Sequence, residues 1–191
     1  MIKVLKEYGY EEALFGLGLS FNVTDQDMID YIPIESKKRI ETVAHKLAGK
    51  GGGHNKFLES IIVWLYIDAP RSVWQEFDTY RVGMTKNSQS TMHTLLKDEI
   101  DSSLFATMEL KENEEDFAII LEAYKRIHSR GNLWDSKMAL PEGFIQGRQI
   151  CTNYKTLQNV YRQRKNHRLK WWKENLDDML DQLEFSKFIT A

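Results

Sequence analysis

The chain has 191 residues, 42% of them hydrophobic and 28% charged, with a formal net charge of −2 at pH 7. This balance predicts a single globular domain over residues 1–191 that buries a core unaided, and it excludes a global field that drives the protein onto nucleic acid or membranes. A lone cysteine, Cys151, excludes an internal disulfide; with no signal-peptide pattern at Met1–Glu7 and no run near the ~20 apolar residues of a membrane span, the expected location is the cytoplasm.

The first helix by pattern follows Ser36, where Ile40, Val43, Ala44 and Leu47 recur at helical spacing before Gly51-Gly52-Gly53 ends the run. Ile61 to Ile67 is rich in β-branched and aromatic residues and predicts a strand buried on both faces. Asp68-Ala69-Pro70 predicts a helix start, with Asp68 or Ala69 near the cap and Pro70 in the first turn; Val73, Trp74, Phe77 and Tyr80 follow at helical spacing. Asn87 to Thr91 is a polar loop by composition. A helix from about Asp116 to Arg130 places Phe117, Ile120, Leu121, Tyr124 and Ile127 on one stripe, and Ser129-Arg130-Gly131-Asn132 closes it. Gly147 to Leu183 is mostly helical by pattern. The sum is a helix-rich α/β (α+β) domain with a small central sheet.

Taken singly, these residues carry little chemistry. Cys151 falls on a segment that reads as helical, has no histidine near it in sequence, and reads as a small core residue. The five histidines form no His-x-x-x-His pair, so no metal site is expected. Gly51-Gly52-Gly53 precedes a strand, which does not suit a glycine-rich nucleotide loop at a helix start. By itself His54 reads as a surface histidine, Glu59 as a cap at a strand edge, and Arg81 as a helix-end arginine facing the macrodipole. Asn153 and Asn159 are poor helix formers that share one segment, and Trp171-Trp172 read as core or subunit-interface aromatics.

Order and spacing say more. Gly53-His54-Asn55-Lys56-Phe57-Leu58-Glu59-Ser60 leads into the strand, then come Ala69-Pro70, Tyr80-Arg81-Val82 and Asn87-Ser88-Gln89-Ser90. Further on lie Lys137-Met138-Ala139-Leu140-Pro141, Asn153-Tyr154-Lys155-Thr156-Leu157-Gln158-Asn159, and Arg164 seven residues before Trp171. With Leu19-Ser20-Phe21 near the start, this series resembles the flavin-dependent thymidylate synthases, the ThyX family, from about Ser20 to Trp172. Those enzymes carry Val-Ser-Phe, Gly-His-x-x-x-Phe-Glu, a strand ending in Ala-Pro, Arg-His-Arg, Asn-Glu-x-Ser-x-Arg-Tyr, Arg-Ile-Val-Leu-Pro, Asn-Ala-Arg-Ser-Leu-x-Asn and an arginine before Gln-Trp-Glu. The resemblance implies FAD, NADPH and methylenetetrahydrofolate as cofactors, a pyrimidine deoxynucleotide as substrate, and a homotetramer with shared active sites. It implies that Arg164 activates the base, that Ser20, His54, Glu59, Arg81, Val82, Asn87, Asn153, Lys155 and Asn159 hold the flavin, and that Ser88, Gln89, Ser90 and Lys137 hold the nucleotide. No cysteine nucleophile is required.

The departures bear on the substrate. The family's Arg-His-Arg is Thr79-Tyr80-Arg81, one extra residue separates Arg81 from Ser90, and the loop glutamate is Ser88. The loop arginine that grips phosphate is Met92, and the arginine before Leu-Pro is Lys137. Methionine cannot replace a guanidinium fork, and lysine replaces it only as a point charge. The nucleotide is therefore dUMP or an altered substrate such as dCMP, or the chain is a non-thymidylate paralogue; the short length and worn motifs suit a viral or mobile-element relative. A rival reading rests on residues 155–173. There Lys155, Arg162, Arg164, Lys165, Arg168, Lys170 and Lys173 alternate with aromatics and no acid intervenes, as a nucleic-acid surface requires.

Overall fold

The computed structural model describes residues 1–21, 34–97 and 99–191. The chain clusters into two compact units. One comprises Met1–Tyr66, Tyr80–Lys86 and Gln149–Ala191; the other comprises Ile67–Thr79 and Asn87–Arg148. A small antiparallel sheet has the order β1-β2-β4-β3, with β1 Ile2–Tyr8, β2 Ile62–Pro70, β3 Met84–Ser88 and β4 Ile145–Asn153. The helices in chain order are α1 (Tyr10–Gly18), α2 (Ile34–Ala48), α3 (Arg71–Phe77), α4 (Thr91–Thr94), α5 (Lys111–His128), α6 (Leu133–Met138), α7 (Tyr154–Arg164), α8 (Lys170–Gln182) and α9 (Lys187–Thr190). This is the helix-rich α+β architecture expected from the sequence. Among the described residues no helix is long and apolar enough to cross a membrane.

Several local expectations change. The run expected to be buried on both faces is buried on one: Val63, Leu65 and Ile67 are covered, whereas Trp64 and Tyr66 are 36% and 37% exposed. An antiparallel sheet needs only one covered face, and wide aromatic rings on the other still mimic a buried run in sequence. Strand β2 also runs on through Asp68-Ala69-Pro70. Pro70 is extended (φ −64°, ψ 153°) at the cap of α3, one residue before the first turn. The first helical amides are satisfied by main chain instead of Asp68: Arg71 N donates to Phe144 O at 3.0 Å and Ser72 N to Glu142 O at 3.3 Å. Asn87 and Ser88, expected in a loop, end β3, and its place at the sheet edge accounts for the polar composition. Gly147 to Asn153, expected as helix, forms β4, in which Ile150 and Thr152 alternate with less covered neighbours. Cys151 is therefore a half-buried strand residue.

In the first unit, β1 passes into α1 through Gly9, at φ 88°. A Cβ there would lie 2.2 Å from Ser60 O, so both the turn and the close approach require glycine. The core behind it includes Leu14, Ala44, Leu58, Leu65, Val160 and Trp172. The Tyr10 ring stacks on Phe185 with centroids 3.5 Å apart. The second unit packs Leu95, Phe105, Leu121, Tyr124, Leu140 and Phe144 into its own cluster, with Phe105 edge-on to both Tyr124 and Phe144. Helix α5 starts at Lys111, five residues earlier than its apolar stripe suggests. Glu112 and Glu114 fill its first turn, where the macrodipole favours anions. Of that stripe, Leu121 and Tyr124 are buried, Phe117 packs partly against them, and Ile120 is 53% exposed.

The Tyr154 hydroxyl donates to Glu7 Oε1 at 2.6 Å. Burial, then that hydrogen bond and the Glu7 charge, push the phenol well above the ordinary tyrosine range. Burial and the Glu41 carboxylate push Tyr10 the same way. Folding thus holds both protons more tightly than the open chain does, so this stability is intact below about pH 10 and is lost as the pH rises beyond it. In urea titrations above about pH 10, Tyr154→Phe should show a shallower fall of midpoint than wild type, with Tyr10 and Tyr124, whose phenols burial also raises, adding to the remaining fall. Identical slopes would remove Tyr154 from the account.

Candidate active site

Residues between Ala13 and Phe21 and between Gly53 and Ser60 of the first unit meet, with Leu47, around one cavity of about 710 Å³. Ser20 comes from the 3-10 turn Leu19–Phe21, His54 from the glycine turn, and Glu59 from the 3-10 turn Lys56–Glu59. All three side chains are exposed to the cavity and solvent, and Leu17, Leu47 and Phe57 give it apolar walls. A hydroxyl, an imidazole and a carboxylate over apolar walls form a binding cleft of ordinary ligand size. The turn carrying His54 needs Gly52 and Gly53 at φ 68° and 86°, and a Cβ on either would meet nothing within 4 Å. Those glycines serve the path of the chain and leave the ground above it open.

A second group is organised by α7. Asn153 caps it: its Oδ1 accepts from Thr156 N at 2.9 Å. Thr156 Oγ1 donates to Val82 O at 3.2 Å and Thr152 Oγ1 to Gly83 O at 2.9 Å, which fixes the Arg81-Val82-Gly83 turn on the start of the helix. Gly83 has φ 67°, and a Cβ there would lie 2.5 Å from Thr156 Oγ1 and 3.0 Å from Asn153 Nδ2. Arg81 is exposed, and Val82 is 89% exposed. In the first turn of α7, Lys155 Nζ donates to Asn55 Oδ1, and Asn55, fully buried, donates to Ala48 O at 2.9 Å and to Gln158 Oε1 at 3.1 Å. At its far end, Arg164 Nε donates to the Tyr80 hydroxyl at 2.8 Å, and the guanidinium lies 5.1 Å from the Trp172 ring centre. Asn159 Oδ1 accepts from Gln163 Nε2 at 3.0 Å.

The second unit carries the residues expected to face nucleotide. Asn87 and Ser88 are exposed at the end of β3. Gln89 is tied to β4: its N donates to Gly147 O at 2.9 Å, and its carbonyl accepts from Gln146 Nε2 at 2.7 Å. Ser90 is the cap residue of α4, and its carbonyl accepts from His93 N and Thr94 N. Lys137 lies half-buried in the last turn of α6, and no hydrogen bond or ion pair joins it to residues 87–90 among the described residues.

The family model of the thymidylate synthase complementing protein matches residues 19–184. The chain belongs to that family, the flavin-dependent thymidylate synthases. No curated protein sequence matches it. Among solved structures, flavin-dependent thymidylate synthase ThyX from Helicobacter pylori complexed with FAD and dUMP superposes with a TM-score of 0.77 at 16% identity, over 95% of this chain and 93% of that one. A second structure of the H. pylori protein, with FAD and dUMP at 2.31 Å, gives 0.77 at 17% identity, over 97% and 93%. The UMP/dUMP methylase PolB from Streptomyces cacaoi, bound with 5-Br dUMP, gives 0.64 at 10% identity, over 95% and 88%. These likenesses are of fold.

Within this ThyX-type chain, two buried amides escape a motif reading. Asn55 is 0% and Gln158 1% exposed. Gln158 Nε2 donates to Ala48 O and Phe188 O, both at 2.9 Å. The available signal was the i, i+3 spacing of Lys155 and Gln158, which places both on one helix face. The basic stretch 155–173 is also less continuous than its sequence suggests. Lys155 turns to Asn55, Arg162 to Gly49 O and Ala191 O, and Arg164 to Tyr80. Asn153→Ala should cost about 1 kcal/mol of stability through loss of the cap, and Asn153→Asp should restore it in urea unfolding. Equal destabilisation by both would show that the cap is not the residue's structural task.

Proposed function

We propose that this chain is a FAD-dependent enzyme that transfers a one-carbon unit from methylenetetrahydrofolate to C5 of a pyrimidine deoxynucleotide, working as a homotetramer with shared active sites. The observation that carries the proposal is the cavity that gathers Ser20, His54 and Glu59, the positions that match the family's flavin motifs. Its volume and mixed polar and apolar lining suit part of a flavin dinucleotide. When bound, reduced flavin supplies hydride and the folate supplies the carbon, with NADPH as the source of reducing equivalents.

The residues of the chain bind, orient and polarise. Ser20, His54 and Glu59 would hold the flavin at the cavity, and by resemblance Arg81, Val82, Asn87, Asn153, Lys155 and Asn159 would be its further contacts. Asn153 and Lys155 act there chiefly by fixing α7 and the turn above it, given the bonds they already make. Arg164 would meet the pyrimidine edge, favour negative charge on the ring and so raise nucleophilicity at C5. A well-placed cation in a dry site contributes on the order of 3 kcal/mol of transition-state stabilisation. Ser88, Gln89 and Ser90 would hold the nucleotide, and Lys137 would meet its phosphate as a point charge. With Met92 and Thr79 at positions where the family carries arginine, phosphate recognition is weaker in charge than the motif allows, and the base is uracil or cytosine.

The visible spectrum of the purified protein, recorded with FAD and then with dUMP or dCMP, tests this reading. Flavin bands that survive gel filtration and are perturbed by one nucleotide are expected; a protein that ignores added FAD would overturn the flavin assignment. Arg164→Ala should stay folded and yellow while losing turnover by about a hundredfold, and unchanged turnover would remove Arg164 from that role.

A further inference from the structure

Tyr80 occupies the middle of the stretch that reads Arg-His-Arg in the family, so its phenol departs from that motif. The residue is buried, with 6% exposure. Its hydroxyl sits between two side chains of the last turn of α7: it accepts from Arg164 Nε at 2.8 Å and donates to Gln163 Oε1 at 3.1 Å. Gln163 Nε2 then donates to Asn159 Oδ1 at 3.0 Å. A guanidinium only donates, so the phenol accepts from it; the phenol proton goes to the Gln163 carbonyl, and the Gln163 amide nitrogen faces Asn159.

A hydrogen bond and a ring contact therefore both act on Arg164. The Nε contact fixes the direction of the guanidinium within its plane, and the Trp172 ring, 5.1 Å from its central carbon and fully buried, lies close enough to restrain its tilt. A pyrimidine carbonyl meets a guanidinium through the terminal nitrogens, which the Nε contact does not use. We propose that Tyr80 is a positioning residue that sets Arg164 for the pyrimidine edge, replacing the family's histidine in that stretch with a phenol locked to Gln163. The inference rests on the role given to Arg164 above.

The test is a double-mutant cycle in the flavin-loaded protein, with Tyr80→Phe, Arg164→Ala and both together. The phenylalanine keeps the packed ring and removes only the hydroxyl. Nucleotide binding is read from the flavin spectrum, turnover from product, and the Arg164 Nε–H from its proton–nitrogen resonance, assigned by its loss in Arg164→Ala. Tyr80→Phe should lower kcat about tenfold with KM within about twofold, since misplaced groups cost rate before binding. It should keep the flavin bands and expose the Nε–H to rapid solvent exchange. In the Arg164→Ala background it should lower kcat no further, because the group it positions is gone. Additive losses in the double variant, or an Nε–H as protected as in wild type, overturn the positioning role while leaving the flavoenzyme reading intact. Wild-type protein that binds FAD but neither dUMP nor dCMP overturns the reading of Arg164 itself, and this inference with it.

Discussion

The amide of Gln158 is the contact on which the rest of the first unit depends. It lies almost wholly out of solvent and satisfies two main-chain carbonyls, from the end of α2 and from α9, while its oxygen receives Asn55. Removing a buried partner of this kind strands several polar groups at once, at roughly 1–3 kcal/mol each. Because Gln158 belongs to α7, the same helix that seats Val82 through Thr156 and carries Arg164 at its far end is pinned from inside. Arg164, the residue proposed to activate the base, thus projects from a helix whose own rotation and height are fixed by buried hydrogen bonds.

That arrangement separates two kinds of polar residue that look alike in sequence. Asn153 and Lys155 match family positions for flavin, yet each is engaged with the protein itself, one as a helix cap and one with a buried amide. Ser20, His54 and Glu59 are turned to open space. The first group secures geometry and the second is available to a ligand.

Much of the fold and part of the site can be read without coordinates. The amphipathic spacing of Ile40, Val43, Ala44 and Leu47 marks α2, and the ordered motifs from Ser20 to Trp172 point to the family that the match over residues 19–184 shows. What fails has physical causes. β4 hides because Gln146, Arg148 and Gln149 dilute its apolar alternation, and its continuity with α7 lets a helical pattern spread backwards across Asn153. Strand β1 and helix α1 carry no strong terminator signal except Gly9, whose meaning comes from the distant carbonyl of Ser60. Tyr80 looks like a worn motif position until its distances to Arg164 and Gln163 are known. Long-range pairing of this sort has no local pattern to betray it.

Gly83 carries a consequence for how such a protein drifts over evolutionary time. A side chain there meets Thr156 and Asn153 and must also adopt a backbone region that L residues avoid, so two independent penalties guard one position. Neither penalty refers to flavin, folate or nucleotide. A descendant that had abandoned catalysis altogether would still be held to glycine at this turn, while Arg164 and Lys137 were free to change. Retention of the glycine across a lineage is therefore a record of a surviving fold, and the fate of the arginine is the record of a surviving reaction.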